Sequence, residues 1–221
     1  PAGIAAQVHA EALETTTAQL IHEIEPLVGT LKLAAQSEID DYDGSQTRIA
    51  ISRVDDFLEA LSRLRRAAGA PKMEEIDLGL LIAEAITEFQ LPAGISFQKA
   101  GADHCIVVGD KTLVLMSVFN GIRNAIEATV AVGPPYDERP ITLTWGSTNT
   151  DCWVSVLDLG IGFKGNTQRA FEIGSTTKGG HLGMGLAITK QSVESMQGTV
   201  LLVPNSRGTR FEIRWPVPQG H

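Results

Sequence analysis

Two asparagines spaced four residues apart are the first residues whose types and spacing suggest chemistry. They belong to the block Asn120-Gly121-Ile122-Arg123-Asn124. Because residues four apart lie on the same face of a helix, their amide oxygens can meet one ligand together. Magnesium accepts oxygen ligands of this kind and commonly bridges them to substrate phosphates. Asn120 and Asn124 are therefore candidate ligands of a magnesium ion and of the phosphates that it holds.

Two glycine-containing blocks follow downstream. The segment Asp158-Leu159-Gly160-Ile161-Gly162 ends an apolar run, and the carboxylate of Asp158 is able to accept a hydrogen bond from an exocyclic amine, as adenine offers. The glycines let the backbone approach a ligand closely. A second cluster, with Gly183 and Gly185, opens an apolar helical segment whose free N–H groups suit phosphate. In this order the blocks predict a nucleotide site.

The three blocks resemble the N, G1 and G2 boxes of the GHKL ATPase and kinase superfamily, specifically the ATP-binding domain of bacterial sensor histidine kinases. The resemblance implies ATP and Mg²⁺ as cofactors. It places the metal and phosphate contacts on Asn120 and Asn124 and the adenine contact on Asp158. The remaining cofactor-binding positions that it implies are Gly160, Gly162, Gly183 and Gly185. His181 stands where many relatives have a further glycine.

A stretch rich in glycine, threonine and lysine, from Lys164 to Leu182, lies between the last two blocks. It has no apolar period, so we predict a mobile lid. Phe171 and the later Thr176-Thr177-Lys178 are similar to the F-box region of the same family. This similarity makes Lys178 or Arg169 a candidate contact of the γ-phosphate. A solvated lid charge is an equal alternative for either residue.

The block His22-Glu23-Ile24-Glu25-Pro26 resembles the phosphoacceptor box of the histidine kinase dimerisation domain. An imidazole nitrogen is a fair nucleophile near neutral pH, and a neighbouring carboxylate can take its proton. His22 is thus the candidate nucleophile and Glu23 the candidate base. Pro26 has no N–H for the carbonyl of His22, so we expect the helix to bend or loosen at the acceptor.

Position 120 separates two reaction classes within the superfamily. The members that hydrolyse ATP carry a glutamate four residues before the metal-binding asparagine, whereas this chain has Asn120. An amide takes no proton at neutral pH, so phosphoryl transfer to a protein nucleophile is favoured over hydrolysis. The resemblance implies that a receiver-domain aspartate of a response regulator is the next acceptor. The alternatives are a non-catalytic phosphotransfer or scaffold protein with a degenerate ATP-binding domain, and a serine kinase of the anti-sigma type.

Two amphipathic stretches precede the nucleotide blocks, from about Gln7 to Gln36 and from about Ser45 to Ala68. A polar turn joins them, which predicts an antiparallel helical hairpin. One hairpin cannot bury both apolar stripes, so we expect a homodimeric four-helix bundle. Gly69-Ala70-Pro71 predicts a boundary between residues 1–70, the dimerisation and phosphotransfer domain, and residues 71–221, the ATP-binding domain.

The second region mixes strand and helix patterns. Alternating runs predict strands at residues 76–78, 95–99, 105–108, 141–145, 153–157, 199–203 and 209–215, and helices at 80–89, 112–130 and 183–196. Helices among mixed strands predict a two-layer α/β sandwich, and with the hairpin the whole chain reads as α+β.

Composition excludes several classes of protein. The 221 residues are 43% hydrophobic, too apolar for a disordered chain, and the net charge of −8 disfavours direct contact with nucleic acid or an anionic membrane. Cys105 and Cys152 stand in apolar runs, which predicts core thiols in a reducing compartment. The sequence has neither an eighteen-residue apolar segment nor a signal peptide, so we expect a cytoplasmic location. The first residue is Pro1, which predicts a piece of a longer protein from which a sensor or membrane region could have been removed.

Overall fold

The computed structural model describes residues 2–136, 138–174 and 182–217, with side chains from residue 19 onward. The chain divides into two compact units, one ending at Arg66 and the other beginning at Ala67. The first unit is a helical pair, and the second is a mixed sheet with helices, so the predicted α+β class is confirmed. No helix in the described ranges is long and apolar enough to cross a membrane.

The first unit consists of α1 (Ala2–Glu38) and α2 (Gln46–Ala68). The turn between them is built from polar contacts, since Ser45 Oγ accepts the N–H of Arg48 at 3.1 Å and so caps the start of α2. The helices pack through one narrow row of buried side chains with Ile39 at its edge: Val28, Ala35, Tyr42, Ile51 and Leu58. Helix α1 continues through Pro26 without interruption.

The second unit contains seven strands and three α-helices within the described residues. These are β1 (Glu74–Asp77), α3 (Leu78–Thr87), β2 (Ile95–Ala100), β3 (Ile106–Gly109), α4 (Lys111–Val130), β4 (Arg139–Ser147), β5 (Asp151–Leu157), a single 3₁₀ turn (Arg169–Phe171), α5 (Gly185–Ser195), β6 (Thr199–Pro204) and β7 (Thr209–Pro216). Most bounds agree with the sequence pattern within two or three residues. Leu78 changes element, because it begins α3 instead of ending β1.

Five of the strands form one sheet in the order β2-β4-β5-β7-β6, and β1 pairs with β3 in a separate small sheet. The β2 and β4 pair is parallel, while the other pairs of the large sheet are antiparallel. Side chains alternate along the central strands between a buried face and a solvent face. The buried face carries Ile141, Leu143, Val154, Val156, Ile213 and Trp215.

The helices cover this buried face and make the predicted second layer. Helix α4 approaches the sheet closely at Gly121, where a Cβ atom would stand 2.6 Å from the ring of Phe211. Its first turn is fixed by Asp110, whose carboxylate is 1% exposed and accepts the N–H groups of Leu113 at 3.0 Å and Lys72 at 2.7 Å. The helix that holds both asparagines is therefore anchored at its N-terminus and along its length.

The two cysteines differ in their surroundings. Cys152 is buried in β5, and burial raises the pKa of its thiol to about 11, with smaller contributions from Cys105 and Asp151. The thiol of Cys152 is therefore protonated and behaves as a small apolar core group. Cys105 is only half-buried.

Candidate nucleotide site

Asn120 lies on α4 at the junction with α5. Its side-chain Nδ2 donates to the carbonyl oxygen of Gly185 at 3.0 Å and to Oγ1 of Thr189 at 3.2 Å. The amide therefore ties the centre of α4 to the first turn of α5. Its Oδ1 accepts no hydrogen bond from the described residues, so its lone pairs remain available to a cation or a donor.

Asn124 lies one turn further along α4 and is half-buried. Its side chain forms no hydrogen bond with the described part of the chain. A half-buried amide without a protein partner favours the prediction of a ligand contact, because polar groups at such positions are usually satisfied. Helix α4 thus presents two neighbouring amide oxygens that accept no hydrogen bond from the described residues.

The donor set on α4 fits a magnesium ion shared with phosphates. No cluster of three or more His, Cys, Asp or Glu side chains in the described ranges could hold a metal ion. A site with only two amide oxygens must take its remaining ligands from nucleotide phosphates and water. Magnesium is commonly held in this way, through few protein ligands and several waters. The residues would therefore hold the metal only together with a nucleotide.

Asp158 directly follows β5 and is 5% exposed. Its Oδ1 accepts the N–H of Gly160 at 2.8 Å, and its backbone N–H donates to the carbonyl oxygen of Thr209 at 3.1 Å. Burial raises the pKa of the Asp158 carboxyl above its ordinary value, while backbone hydrogen bonds, that from Gly160 the largest, oppose the shift. These contacts hold the carboxylate in a fixed direction. A residue that recognises one polar group on a base needs such a fixed orientation.

The glycines around Asp158 bring two backbone segments together. A Cβ atom on Gly160 would overlap the backbone of Ala128 at the end of α4, and Ile161 N–H donates to the carbonyl oxygen of Ala128 at 3.0 Å. Gly162 adopts a φ of 73°, which favours glycine. The G1 loop therefore packs on the same helix that carries the asparagines. This contact joins the predicted adenine and phosphate ends of the site.

The last glycine block lies at the start of α5. Gly183 has a φ of 65°, and its carbonyl oxygen accepts the N–H of Gly174 at 3.1 Å, which ties the middle of the lid stretch to the residue that follows it. Gly185 is the first residue of α5, where backbone N–H groups are unpaired within the helix. Lys178 and His181 lie outside the described residues. The alternative lid cation, Arg169, donates from Nε to Glu172 at 3.4 Å, on the surface.

The acceptor block belongs to the first unit. His22 and Glu23 are both exposed on α1, in the turn before Pro26. Glu23 Oε1 accepts a hydrogen bond from Gln19 Nε2 at 3.3 Å. The histidine is thus accessible to a reactant, and the neighbouring Glu23 carboxylate is hydrogen-bonded to Gln19 on the same helix. The predicted roles of His22 and Glu23 stay predictions.

Two residues that contact the predicted site residues, Thr189 and Gly208, carry no signal in the sequence pattern. Thr189 reads as an ordinary residue of an amphipathic helix, yet it is fully buried and bonds Asn120. Gly208 reads as a hairpin turn between β6 and β7, yet a Cβ atom there would overlap the backbone of Asp158. Both contacts join segments about 50 to 70 residues apart, as the spacing of Asn120 from Thr189 is 69. Local periodicity carries no information about such pairs.

Comparison with known proteins agrees with this geometry. The sequence model of the family described as histidine kinase-, DNA gyrase B- and HSP90-like ATPase matches residues 109–219, which is half of the chain. The matched range begins just before α4 and runs past β7. It therefore contains both asparagines, Asp158 and all the glycines of the site.

A longer similarity extends to the first unit. Sensor-like histidine kinase SenX3 of Mycobacterium tuberculosis (strain ATCC 25618 / H37Rv) is 29% identical over 205 residues, covering 83% of this chain and 48% of SenX3. The C4-dicarboxylate transport sensor protein DctS of Rhodobacter capsulatus is 27% identical over 188 residues, covering 80% of this chain and 27% of DctS. The chain thus spans about half or less of the length of these curated relatives.

Solved structures show the same fold. A nucleotide-free catalytic domain of histidine kinase ThkA has a TM-score of 0.58 and 26% identity, covering 66% of this chain and 98% of that domain. Full-length ShkA in complex with AMPPNP has a TM-score of 0.69 and 22% identity, covering 93% of this chain and 46% of ShkA. The chain belongs to the histidine kinase-, gyrase B- and HSP90-like ATPase family, and it has the organisation of a sensor histidine kinase core with a GHKL-type ATP-binding domain.

Proposed function

We propose that this chain transfers the γ-phosphoryl group of ATP to His22 and that the group then passes to an aspartate of a response regulator receiver domain. The observation that carries the proposal is the amide side chain of Asn120 and its two hydrogen bonds to α5. The side chain is an amide held by Gly185 and Thr189, at the position where hydrolysing members of the superfamily have a glutamate. An amide takes no proton from water, so the site favours a protein nucleophile over hydrolysis.

The transfer step needs one nucleophile and one base. A ring nitrogen of His22 attacks the γ-phosphorus, the bond from that phosphorus to the bridging oxygen breaks, and ADP leaves with the bonding electrons. The ring proton passes to the carboxylate of Glu23, which turns away from Gln19 to receive it. Little covalent chemistry is left for the ATP site, whose residues act by positioning and charge stabilisation.

The residues of the second unit divide the binding of the nucleotide among them. Asp158 accepts the amine of adenine, and the N-terminus of α5 faces the phosphates with unpaired N–H groups. Asn120 and Asn124 would hold Mg²⁺, which when bound neutralises phosphate charge and lowers the barrier to transfer. Gly160 and Gly162 keep the backbone close to the base. Lys178 completes the set as a contact of the γ-phosphate.

The first unit supports a homodimer in the proposal. Large apolar side chains remain exposed along both helices, in α1 at Leu20, Ile24, Leu27, Leu31 and Leu33 and in α2 at Ile49, Val54 and Phe57. On α1, Leu20, Ile24, Leu27 and Leu31 follow one another on one face, and an exposed apolar row of this length marks an interaction surface. A second copy related by a two-fold axis would bury the row in a four-helix bundle.

Labelling with γ-³²P-ATP and Mg²⁺, followed by peptide mapping, tests the proposal. We expect acid-labile label on the peptide that contains His22, none on a His22→Gln variant, and unchanged nucleotide affinity in that variant. His104→Gln is the matched control, since His104 is also exposed and also stands beside a carboxylate, Asp77. Acid-labile label that persists on His22→Gln would exclude His22 as the acceptor. Failure of the wild-type chain to bind ATP would favour the scaffold alternative.

A further inference from the structure

Thr189 stands where α5 meets the centre of α4, and its side chain is fully buried. Its Oγ1 lies 3.2 Å from Nδ2 of Asn120, and the carbonyl oxygen of Gly185 lies 3.0 Å from the same nitrogen. Gly185 and Thr189 are four residues apart, so both acceptors lie on one face of α5. Together they can take both hydrogens of the Asn120 amide.

This pairing fixes which end of the amide faces α5. A carbonyl oxygen only accepts hydrogen bonds, so the group that faces Gly185 must be the NH₂ and not the oxygen. Rotation of the amide by half a turn would bring Oδ1 against the carbonyl oxygen of Gly185. The same rotation would break the hydrogen bond from Nδ2 to that carbonyl. With the NH₂ held on α5, Oδ1 stays on the side that no described residue occupies with a donor.

We propose that Thr189 is a positioning residue that holds the Asn120 amide with its oxygen turned toward the metal and phosphates. The inference rests on the proposed function, since it assigns a role only to a chain that binds ATP with Mg²⁺. Thr189 acts through Asn120 and touches neither nucleotide nor metal. Without its hydroxyl the amide keeps one acceptor, Gly185, and loses the second, so its orientation is less strongly set.

A second hydroxyl on α5 provides a contrast. Ser192 lies one turn after Thr189 and is also fully buried, but its Oγ has no hydrogen-bond partner among the described residues. Removal of this hydroxyl therefore changes the volume and polarity of the same helix face without touching Asn120. Ser192→Ala is the matched control for an effect of helix packing alone.

The test measures ATP affinity by calorimetric titration of the full chain, once with excess Mg²⁺ and once with EDTA. We expect Thr189→Val to weaken binding about three- to tenfold with Mg²⁺, as for loss of one hydrogen bond, and to leave binding in EDTA nearly unchanged. Thr189→Ser keeps the hydroxyl and should bind as the wild type does in both buffers. Ser192→Ala should also match the wild type.

A double variant keeps the test decisive if Thr189→Val lowers stability. In an Asn120→Ala background the substitution Thr189→Val should have no further effect on Mg²⁺-dependent binding, because its only route to the metal has been removed. Equal losses in Mg²⁺ and in EDTA, or an undiminished effect in the Asn120→Ala background, would overturn the inference. Wild-type affinity in Thr189→Val would also overturn it while leaving the proposed kinase untouched. Failure of the unmodified chain to bind ATP at all would overturn both.

Discussion

The helical hairpin and the α/β unit bury their apolar side chains to different degrees. In the α/β unit the largest core residues, among them Leu113, Ile122 and Ile213, are completely inaccessible to solvent. In the hairpin the buried row retains 4 to 8% exposure, and Leu27 and Leu33 are 67% and 69% exposed. The second unit therefore has a closed core, whereas the first has a thin row of contacts between two helices.

The difference reflects how many faces each architecture can cover. A sheet covered by helices encloses one face of its central strands, and α4 reaches both β5 and β7. Two antiparallel helices meet along only one stripe each, so any wider apolar stripe stays in water. The α/β unit should therefore be stable as a single chain. The stability of the hairpin should depend on association, and hence on protein concentration.

Truncation of a fully enclosed side chain should give the largest effect. Leu113→Ala removes a side chain with 0% exposure from the centre of the α/β core, and we expect a loss of about 2 to 5 kcal/mol in the free energy of unfolding. Leu33→Ala is the matched substitution in the hairpin. At a dilution where the chain is monomeric it should change stability by less than about 0.5 kcal/mol. Urea unfolding at several concentrations measures both values, and comparable losses at high dilution would show that Leu33 is covered within one chain.

Charge placed on the exposed row of the hairpin should weaken assembly. Leu31 is 55% exposed on α1, and a Leu31→Glu variant would bury a carboxylate in the proposed bundle. We expect dimerisation to weaken by about 2 to 4 kcal/mol, as for a central interface residue, with nucleotide binding unchanged. Sedimentation equilibrium measures the dissociation constant.

A matched substitution on the other unit sharpens this test. Leu201 on β6 is 44% exposed, and Leu201→Glu should leave the dissociation constant unaltered. If Leu201→Glu dissociated the dimer and Leu31→Glu did not, the interface would belong to the α/β unit. In that case the open row of the hairpin would need another explanation.

Replacement of the buried carboxylate should separate ligand binding from stability. Asp158→Asn presents a donor to the adenine amine in place of one acceptor oxygen, so ATP affinity should fall by about 1.5 to 3 kcal/mol. Burial raises the pKa of Asp158, so the folded state binds its proton more tightly than the unfolded state does. The native state therefore loses stability as pH rises from the ordinary value of 3.8 through the raised value.

The same variant should consequently be more stable than the wild type at neutral pH and lose this advantage in acid. Thermal unfolding of the nucleotide-free protein at pH 7.5 and pH 4 measures the difference. If Asp158→Asn and the wild type had equal unfolding midpoints at both pH values, burial of the Asp158 carboxylate would not destabilise the folded state. A variant that bound ATP like the wild type would remove Asp158 from the site.

Sequence patterns predicted the elements of both units because each is encoded by local periodicity. The apolar stripe of α4 and the alternation along β5 gave bounds within two residues of those observed. Asn120 and Asp158 are predicted site residues for the same reason, since each sits at a fixed place in a short block. Thr189 and Gly208 were missed, because their roles come from contacts made only after the helices and strands assemble.

The sequence pattern also does not predict that Asp77, at the end of β1, caps helix α3. Asp77 reads as the middle of a short strand, yet its Oδ1 accepts the N–H groups of Gly79 at 2.9 Å and Leu80 at 3.4 Å and so begins α3. The same oxygen accepts the N–H of Cys105 at 3.1 Å. An aspartate before an apolar run is a helix-start signal, but the strand pattern of residues 76–78 includes Asp77, so the predicted helix begins at residue 80, two residues after the observed start.

The smallest expected effect comes from the partner of this capping aspartate. His104 Nδ1 lies 2.8 Å from Oδ2 of Asp77, and the hydrogen bond raises the pKa of His104 and lowers the pKa of Asp77, the nearby Asp103 adding slightly to the first shift. Stability from the histidine is present below its ordinary value of 6.5 and is lost as pH rises through the raised value. Stability from the aspartate is present above 3.8 and is lost as pH falls through the lowered value.

The pair should therefore contribute most between these two ordinary values. His104→Gln should lower the free energy of unfolding at pH 5.5 and have a smaller effect at pH 8.5, because the contribution of the histidine is lost as pH rises through its raised pKa. The effect should be small and should shrink in high salt, because the His104 side chain is 76% exposed. Helix α3 should remain capped, since Oδ1 of Asp77 keeps its backbone donors. Urea unfolding at the two pH values measures the difference, and a loss of equal size at both would mean that the contact acts through packing and not through charge.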